Sequence, residues 1–484
     1  MNQSLEKPLA AKDSPLKIGA ADLNLADLNL ADNSGLQQFA EAQVQNHQLP
    51  ALSLAVWQGG HLYCAAAGIL NINTGVTATT DSIFQIGSIT KVLTTCLVMQ
   101  LVDEGRVELD APVRQYLHDF QVADQTATNT ITVRQLLNHT SGMAGDFFSQ
   151  DECHSGHLIA RFVDRCNLLP QVNPPGAMYS YSNTAFVIAG RLVEVVRGIS
   201  WYQAMQDYIY TPLGMNHAIA DPKELIRFRA AMGHLQGDNG WELPEHAWLT
   251  LGMAPCGSAA MMSASDLIQF ARAHMKEGQT QQGKSWLTST SVNAMQTPEV
   301  ALPEMSQTID ANFGLGWGLK TYKEQGISTY SHNGATNGFY ASLQVCLQQD
   351  TVFAILLNGI APEGFTATQA AMQKALMGIE VKVAKLDKSI SLSERHKAIA
   401  GHYESFDKRI TVRLEDGKLK AHLVYKMDPL PPEDLLLYPI TDQLYGSESL
   451  TGERRANLAF TEIDPASFKP AYCFDGSRLN PRQA

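Results

Sequence analysis

Three short motifs along the chain carry side chains that can do nucleophilic chemistry. They occur in the order Ser88-Ile89-Thr90-Lys91, Tyr181-Ser182-Asn183 and His332-Asn333-Gly334. A serine hydroxyl is a poor nucleophile near neutral pH, so it needs a base that removes its proton as it attacks a carbonyl carbon. Lysine and tyrosine can each supply that base. Together the three motifs predict a serine hydrolase that forms an acyl-enzyme.

The context of the first motif separates it from other copies of Ser-x-x-Lys. The same pattern occurs three more times, at 4–7, 14–17 and 405–408. Only Ser88 follows a predicted strand and a glycine, and it opens a segment with apolar residues at helical spacing as far as Gly105. In such a helix Lys91 lies one turn from Ser88, so its ammonium can approach the hydroxyl. The alternative is that Ser88 only caps a helix and Lys91 is solvated.

The sequence does not decide which side chain takes the serine proton. Lys91 and Tyr181 both have unperturbed pKa values near 10, roughly three units too high for a base at pH 7. A nearby cation favours the Tyr181 phenolate, and burial near another positive group disfavours protonated Lys91. Because the two titrations are coupled, both residues remain candidate bases.

The three motifs resemble those of the serine β-lactamase and D,D-peptidase superfamily, and are most similar to its class C and esterase-like branch. Four further segments resemble the family, at 136–142, 175–176, 212–215 and 313–317. The resemblance implies that Tyr181 relays the proton to the leaving group and that Asn183 hydrogen-bonds the substrate. It also implies that the backbone N–H groups of Ala335 and Ser88 form the oxyanion hole.

The third motif departs from the family pattern at His332, where many β-lactamases have lysine. A histidine need not be charged at neutral pH, so it does not guarantee a fixed cation for a substrate carboxylate. The departure favours a peptidase or esterase over a β-lactamase. Gly334, two residues later, allows the backbone to approach the nucleophile closely.

The expected function is cleavage of an amide or ester bond in a small peptide or related small molecule. A β-lactamase, an acyltransferase and a non-catalytic binding or assembly protein that retains the fold are the alternatives. The intact Ser88, Lys91 and Tyr181 favour an enzyme. A small-molecule or short-peptide substrate is the expected partner, no cofactor is expected, and a homo-oligomer remains an open alternative.

Composition is consistent with a soluble enzyme. A chain of 484 residues, 45% of them hydrophobic, can bury substantial cores and should form two or more domains. The formal net charge is −12 and there is no basic cluster, which disfavours nucleic acid as a partner. No apolar run approaches the roughly 18 residues of a membrane span, and no basic segment precedes an apolar core at the N-terminus. We therefore expect a cytoplasmic protein, with a periplasmic or secreted location as the alternative.

Cysteine and histidine residues suggest no metal site. The seven cysteines are dispersed, which favours free thiols. Asp151, Cys153, His154 and His157 have suitable ligand types, but no second paired half follows at a familiar spacing. We predict a polar loop there and no bound metal.

Patterning divides the chain into a tail and two domains. Residues 1–35 are expected to be a flexible N-terminal tail, 36–386 the hydrolase domain and 387–484 a second domain. Alternating stretches at 52–68 and 339–357 predict two hairpins in one antiparallel sheet, separated by a mainly helical region. The prediction is an α+β fold, in which helices flank an antiparallel sheet and include a helical insertion.

After residue 387 the pattern changes to short alternating stretches. They occur at 409–414, 419–425, 435–438, 458–463 and 471–474, and residues 415–417 supply a turn. They predict a small antiparallel β-barrel, which resembles the lipocalin-like domain attached to some family members. Such a domain either borders the substrate cleft, mediates self-association or only stabilises the protein.

Overall fold

The computed structural model describes residues 32–146, 157–382, 384–426, 431–450 and 452–483. Most of the predicted tail, residues 1–31, lies outside the described residues. So do Asp151, Cys153 and His154, three of the four residues with suitable side chains for a metal. The described chain opens with Asp32, whose carboxylate accepts a hydrogen bond from the Ser34 N–H and caps the first helix.

The N-terminal body is built around a nine-stranded antiparallel sheet in the order β3-β2-β1-β14-β13-β12-β11-β10-β9. The strands before residue 387 are β1 Ala51–Gln58, β2 His61–Asn71, β3 Val76–Thr77, β4 Phe84–Gln85, β5 Ala218–Ile219, β6 Leu235–Gly237, β7 Gly240–Glu242, β8 Met261–Met262, β9 Val300–Ala301, β10 Ile309–Phe313, β11 Gly318–Tyr322, β12 Ile327–Thr336, β13 Phe339–Cys346 and β14 Thr351–Leu357. Strands β1 and β14 pair with Ala55 opposite Ala354. The predicted association of the two hairpins in one sheet is confirmed.

Helices cover both faces of this sheet, and most of them lie between β3 and β9. Their bounds are α1 Asn33–Asn46, α2 Thr90–Asp103, α3 Gln125–Thr130, α4 Val133–Leu137, α5 Leu158–Asp164, α6 Asn183–Arg197, α7 Trp201–Met205, α8 Thr211–Leu213, α9 Ala264–Met275, α10 Ser289–Met295, α11 Pro362–Met377 and α12 Glu394–Ala398, with a π-helical turn at Gln206–Tyr210. The α+β fold with a helical insertion is as the patterning predicted.

The strand period of two assigns alternate side chains to two separate cores. On one face Leu54 and Ile355 pack with α1 and α11. On the other face Ala55 and Ala354 pack with the helical insertion, which includes α2 and α6. Helix α2 is buried from Thr90 to Leu101, so its first turn lies deep inside the body.

The C-terminal part is an eight-stranded antiparallel meander. Its strands are β15 Gly401–Glu404, β16 Lys408–Glu415, β17 Lys418–Tyr425, β18 Glu433–Pro439, β19 Leu444–Ser449, β20 Arg454–Ile463, β21 Pro470–Phe474 and β22 Leu479–Pro481. A bridge between Tyr403 and Arg482 brings the two edges together, so the sheet forms a nearly closed barrel. Buried side chains such as Tyr403, Tyr445 and Phe460 fill its interior.

Within the part of the chain that the structure describes, no helix combines the length and the apolar character needed to cross a bilayer. The six cysteines in that part are all free thiols.

Candidate active site

Ser88 lies in a tight turn that leads from β4 into α2. The turn is a 3₁₀ segment, Gly87–Ile89, in which Gly87 has a φ of +52°. A Cβ on Gly87 would lie 2.7 Å from the Ala335 nitrogen, and a Cβ on Gly257 would lie 2.8 Å from the Ser88 nitrogen. Because neither position has room for a side chain, glycines on both sides let three backbone segments converge on the serine.

Lys91 approaches the serine from the first turn of α2, one turn further along the chain. Its Nζ is 3.0 Å from Ser88 Oγ and 2.6 Å from the carbonyl oxygen of Cys256. The side chain has no exposed surface. Burial lowers the pKa of Lys91 to about 8, because the charged ammonium loses its water, and the positive charge of Arg478 acts in the same direction. Near pH 8 a substantial fraction of this amine is therefore neutral.

Tyr181 lies on the other side of the serine, in the loop before α6. Its hydroxyl forms a hydrogen bond with Ser88, and Lys91 Nζ lies 4.9 Å from the centre of its ring. Burial raises the pKa of Tyr181 above its ordinary value, although the Ser88 hydrogen bond and Arg478 oppose the shift. Of the two candidate bases, Lys91 is therefore the one whose pKa moves toward neutral pH.

Asn183 is the first residue of α6, where Ser182 caps the helix by accepting a hydrogen bond from the Ala185 N–H. The Asn183 side-chain nitrogen donates to Asp146, a buried carboxylate. Asp146 in turn forms a 2.5 Å ion pair with Arg478, which comes from the loop between β21 and β22. The barrel therefore contributes a side chain to the neighbourhood of the serine.

Strand β12 brings the third motif beside the nucleophile turn. A Cβ on Gly334 would lie 1.9 Å from the carbonyl oxygen of Ile86 and 3.1 Å from the Ser88 nitrogen. Ala335 follows immediately and lies against Gly87. The backbone of β12 thus runs along the turn at a separation that only glycine permits at position 334.

His332 is buried and holds a defined tautomer. Its Nδ1 lies 2.6 Å from the carbonyl oxygen of Asn333, which can only accept, so Nδ1 carries the proton. Burial lowers the pKa of His332 to about 3, and nearby Lys91 acts in the same direction. The ring is neutral at physiological pH, and its Nε2 is a buried acceptor that finds no partner among the described residues. His332 therefore offers a hydrogen-bond acceptor in place of a cation.

The structure brings together all seven residues that the sequence nominated, and it adds three that the sequence did not. These are His139, Asp146 and Arg478. The His139 Nδ1 accepts the Ser182 N–H at 3.0 Å, and its ring centre lies 4.2 Å from that of Tyr181. The segment 136–142 that contains it resembles the family, but the sequence assigns no chemistry to this histidine. Nothing in the sequence distinguished Asp146 or Arg478 from other charged residues.

Comparison with known proteins gives a consistent result for the N-terminal body. The beta-lactamase family matches residues 36–376. Penicillin-binding protein 4 of Amycolatopsis lactamdurans is 38% identical over 355 residues, which cover 72% of this chain and 92% of that protein. An unguisins hydrolase of Aspergillus campestris is 28% identical over 342 residues, covering 66% of this chain and 60% of its own.

A solved structure matches the body and the barrel together. SurE superposes with a TM-score of 0.75 at 28% sequence identity, covering 93% of this chain and 99% of SurE. SurE with D-Leu gives the same TM-score at 26% identity, covering 94% of this chain and 100% of that one. The two-part architecture of this chain is therefore present in another protein.

Proposed function

The chain belongs to the β-lactamase family, and we propose that it is a serine hydrolase that cleaves an amide or ester bond of a small peptide through an acyl-enzyme on Ser88. The observation that carries this proposal is the 3.0 Å contact between the Ser88 hydroxyl and the fully buried amine of Lys91. If Ser88 only capped the helix and Lys91 were solvated, the lysine would not be buried in this way.

In the proposed acylation step, neutral Lys91 is the base. A neutral amine has two N–H groups and one lone pair. The Cys256 carbonyl can only accept, so one N–H points to it and the lone pair is free for the Ser88 proton. As Ser88 Oγ attacks the substrate carbonyl, its proton moves to Lys91 Nζ, and the carbonyl oxygen takes up negative charge. The N–H groups of Ser88 and Ala335 are proposed to stabilise that charge.

Tyr181 is proposed to pass a proton to the leaving group. Its raised pKa keeps the phenol protonated at neutral pH, so its O–H can donate while the tetrahedral intermediate collapses. The resulting Tyr181 phenolate then recovers a proton from the Lys91 ammonium, whose nitrogen lies 4.9 Å from the centre of the ring. A water molecule then attacks the acyl-enzyme, and the same proton transfers in reverse release the acid and restore Ser88.

A peptide substrate, with a D-residue near the cleaved bond, is favoured over a β-lactam. Neutral His332 presents an acceptor, which suits a substrate N–H and gives no cation for the carboxylate of a penicillin. The D-residue is supported by SurE, which matches both parts of this chain and has been solved with D-Leu. An esterase remains within the proposal, because an ester would use the same groups.

The proposal is tested by labelling and by a substrate panel. A fluorophosphonate should add to intact protein, and peptide mass spectrometry should find the adduct on Ser88. Matched D- and L-aminoacyl p-nitroanilides, p-nitrophenyl esters and a chromogenic cephalosporin are then compared, with the Ser88→Ala variant as the blank. We expect D-anilides to exceed L-anilides and slow or absent cephalosporin turnover. Rapid cephalosporin cleavage would instead favour a β-lactamase, and an adduct elsewhere would remove the proposal.

The activity should depend on pH through the titration of Lys91. The free enzyme needs the neutral amine, so kcat/KM is expected to rise between pH 6 and 9 with a midpoint near the Lys91 pKa of about 8. Because the pKa of Tyr181 is raised, its phenol should remain protonated and produce no falling limb in this interval. Initial rates with an anilide whose own chemistry does not titrate in this range provide the measurement. A profile that falls above pH 7 would contradict this assignment of the base.

A further inference from the structure

The loop between β21 and β22, residues 475–478, lies against the segment that carries Tyr181. We call it the docking loop. The Tyr181 N–H donates to the Ser477 carbonyl at 2.9 Å, and the Leu479 N–H at the end of the loop donates to Ser180 Oγ at 3.2 Å. Phe474 contacts Tyr179 with their ring centres 6.2 Å apart. The barrel therefore touches the active-site loop at Tyr181 and at the two residues that precede it.

A buried network inside the barrel fixes the conformation of the docking loop. Asp475 accepts the N–H groups of Ser477 and Arg478 and forms a 2.5 Å ion pair with Lys408. Both partners of that pair are largely buried. Because a buried ion pair is disrupted only at considerable cost, the loop presents Arg478 in one orientation.

Arg478 lies in a narrow slot in the N-terminal body, between Gly145 and Tyr181. Its guanidinium carbon lies 5.4 Å from the centre of the Tyr181 ring. A Cβ on Gly145 would lie 2.3 Å from the Tyr181 carbonyl oxygen and 3.0 Å from Arg478 Nε. Only glycine at position 145 therefore admits both the Tyr181 backbone and the arginine.

The charges in the slot depend on each other. Asp146 is 6% exposed, and within the described residues its ion-pair partner is Arg478. Without the arginine, the buried carboxylate would lose its ion-pair partner and keep only the Asn183 hydrogen bond and the attraction of Lys91, which is unfavourable. The same carboxylate holds the Asn183 amide, so its position bears directly on the proposed substrate contact.

We propose that Arg478 is a positioning residue which makes the docked barrel a required part of the active site, by holding Asp146 and, through it, Asn183. The inference rests on the proposed function and extends it: the body alone has the seven motif residues, yet the site is complete only when the barrel is docked. This assigns the barrel a catalytic purpose beyond stabilisation.

The electrostatic consequence concerns Lys91. The charged and titratable groups that act on it or face it are Tyr181, Cys256, Asp146, Arg478, His139 and His332. Asp146 raises the pKa of Lys91, and Arg478 lowers it. Removing one member of the ion pair should therefore move the pH profile in one direction, and removing the other should move it in the opposite direction.

The test compares Arg478→Gln, Arg478→Lys, Asp146→Asn and the double variant Arg478→Gln/Asp146→Asn. For Arg478→Gln we expect kcat to fall about 10- to 100-fold, from loss of alignment, and the midpoint of kcat/KM to rise by about 0.5 to 1 pH unit. For Asp146→Asn the midpoint should fall. Arg478→Lys should keep the wild-type midpoint, and the double variant should return toward it. Arg409→Gln, which breaks an exposed ion pair with Glu404 elsewhere on the barrel, is the matched control.

Thermal unfolding and fluorophosphonate labelling of Ser88 accompany each profile. A merely structural arginine would lower the melting temperature without moving the two midpoints in opposite directions, and that result would overturn the inference. If Arg478→Gln fails to fold, Asp146→Asn still decides it, because its midpoint should fall below those of wild type and of the double variant, which leaves no lone buried charge. Wild-type protein labelled at Ser88 together with unshifted midpoints refutes the inference alone. Unlabelled wild-type protein refutes the proposed function and the inference with it.

Discussion

The variants Ser88→Ala and Lys91→Met are each expected to lose roughly 10⁴-fold or more in kcat/KM, and the double variant is expected to lose no more than either single one. Groups that act as a unit are non-additive, because removing one already disables the step in which the others take part. Ser88 and Lys91 form such a unit, since the lysine nitrogen lies 3.0 Å from the hydroxyl it is proposed to deprotonate. Turnover of the best anilide from the panel provides the measurement.

Lys284→Met, at an exposed lysine remote in sequence from the three motifs, is the matched control and should leave the rate unchanged. If Lys91→Met kept about a tenth of the wild-type kcat/KM, Lys91 would not be the base, and Tyr181 would have to be reconsidered despite its raised pKa. If the two single losses multiplied in the double variant, the two side chains would act in separate steps.

The same Lys91→Met variant should be more stable than wild type, by an amount that depends on pH. The pKa of Lys91 is lowered from 10.5 to about 8 on folding, so the folded state disfavours the proton that the unfolded chain binds. The resulting cost is about 3 kcal/mol below pH 8, and it disappears as the pH rises toward 10.5. The stability gained by Lys91→Met should therefore be about 1 to 2 kcal/mol smaller at pH 9 than at pH 6.

Urea unfolding of wild type and variant at those two pH values measures the difference. Loss of packing and of the neutral amine's hydrogen bond to the Cys256 carbonyl lowers the stability of the variant equally at both, so it cancels in the comparison, and the additional strength of the bond from the charged form is already part of the pKa shift. A gain in the free energy of unfolding that did not change with pH would show that burial does not lower the pKa of Lys91.

The sequence was informative where the interacting residues are close together along the chain or follow the repeat of a helix or strand. Ser88 and Lys91 are one helical turn apart, so their contact follows from helix geometry alone. The alternation in 52–68 and 339–357 likewise predicted strands that now pair as β1 and β14. The other motif residues were identified because their motifs resemble those of a known family. Local patterns in the sequence do not predict that such distant residues lie close together in space.

The sequence was uninformative where proximity depends on how separate parts of the chain dock. Arg478 reaches Asp146 only because the barrel closes and its β21–β22 loop inserts beside Gly145. Strands β15 and β22, which bring the barrel edges together, have four and three residues and show too little alternation to detect. A lone Arg or Asp in a loop carries no signal of its partner.

The second large effect is expected at Gly334 on β12. In Gly334→Ala the new methyl group would lie 1.9 Å from the Ile86 carbonyl oxygen, which is backbone and cannot rotate away. The strand must move outward and take the Ala335 N–H with it, so the proposed oxyanion hole loses one donor. Loss of one such donor typically costs about 10²- to 10³-fold in kcat. KM should change little, because the charge that this N–H stabilises develops only in the transition state.

Gly318→Ala, on the adjacent strand β11, is the matched control for this prediction. Its added methyl group would approach the Ser331 carbonyl oxygen at 3.2 Å, which a shift of a few tenths of an ångström relieves, and this glycine does not contact the nucleophile turn. Steady-state kinetics and melting temperatures of both variants give the comparison. If Gly334→Ala folded normally and kept the wild-type kcat, the β12 backbone would not stabilise the oxyanion, and the second donor would have to come from another segment near Ser88. A loss confined to KM would place β12 in substrate binding alone.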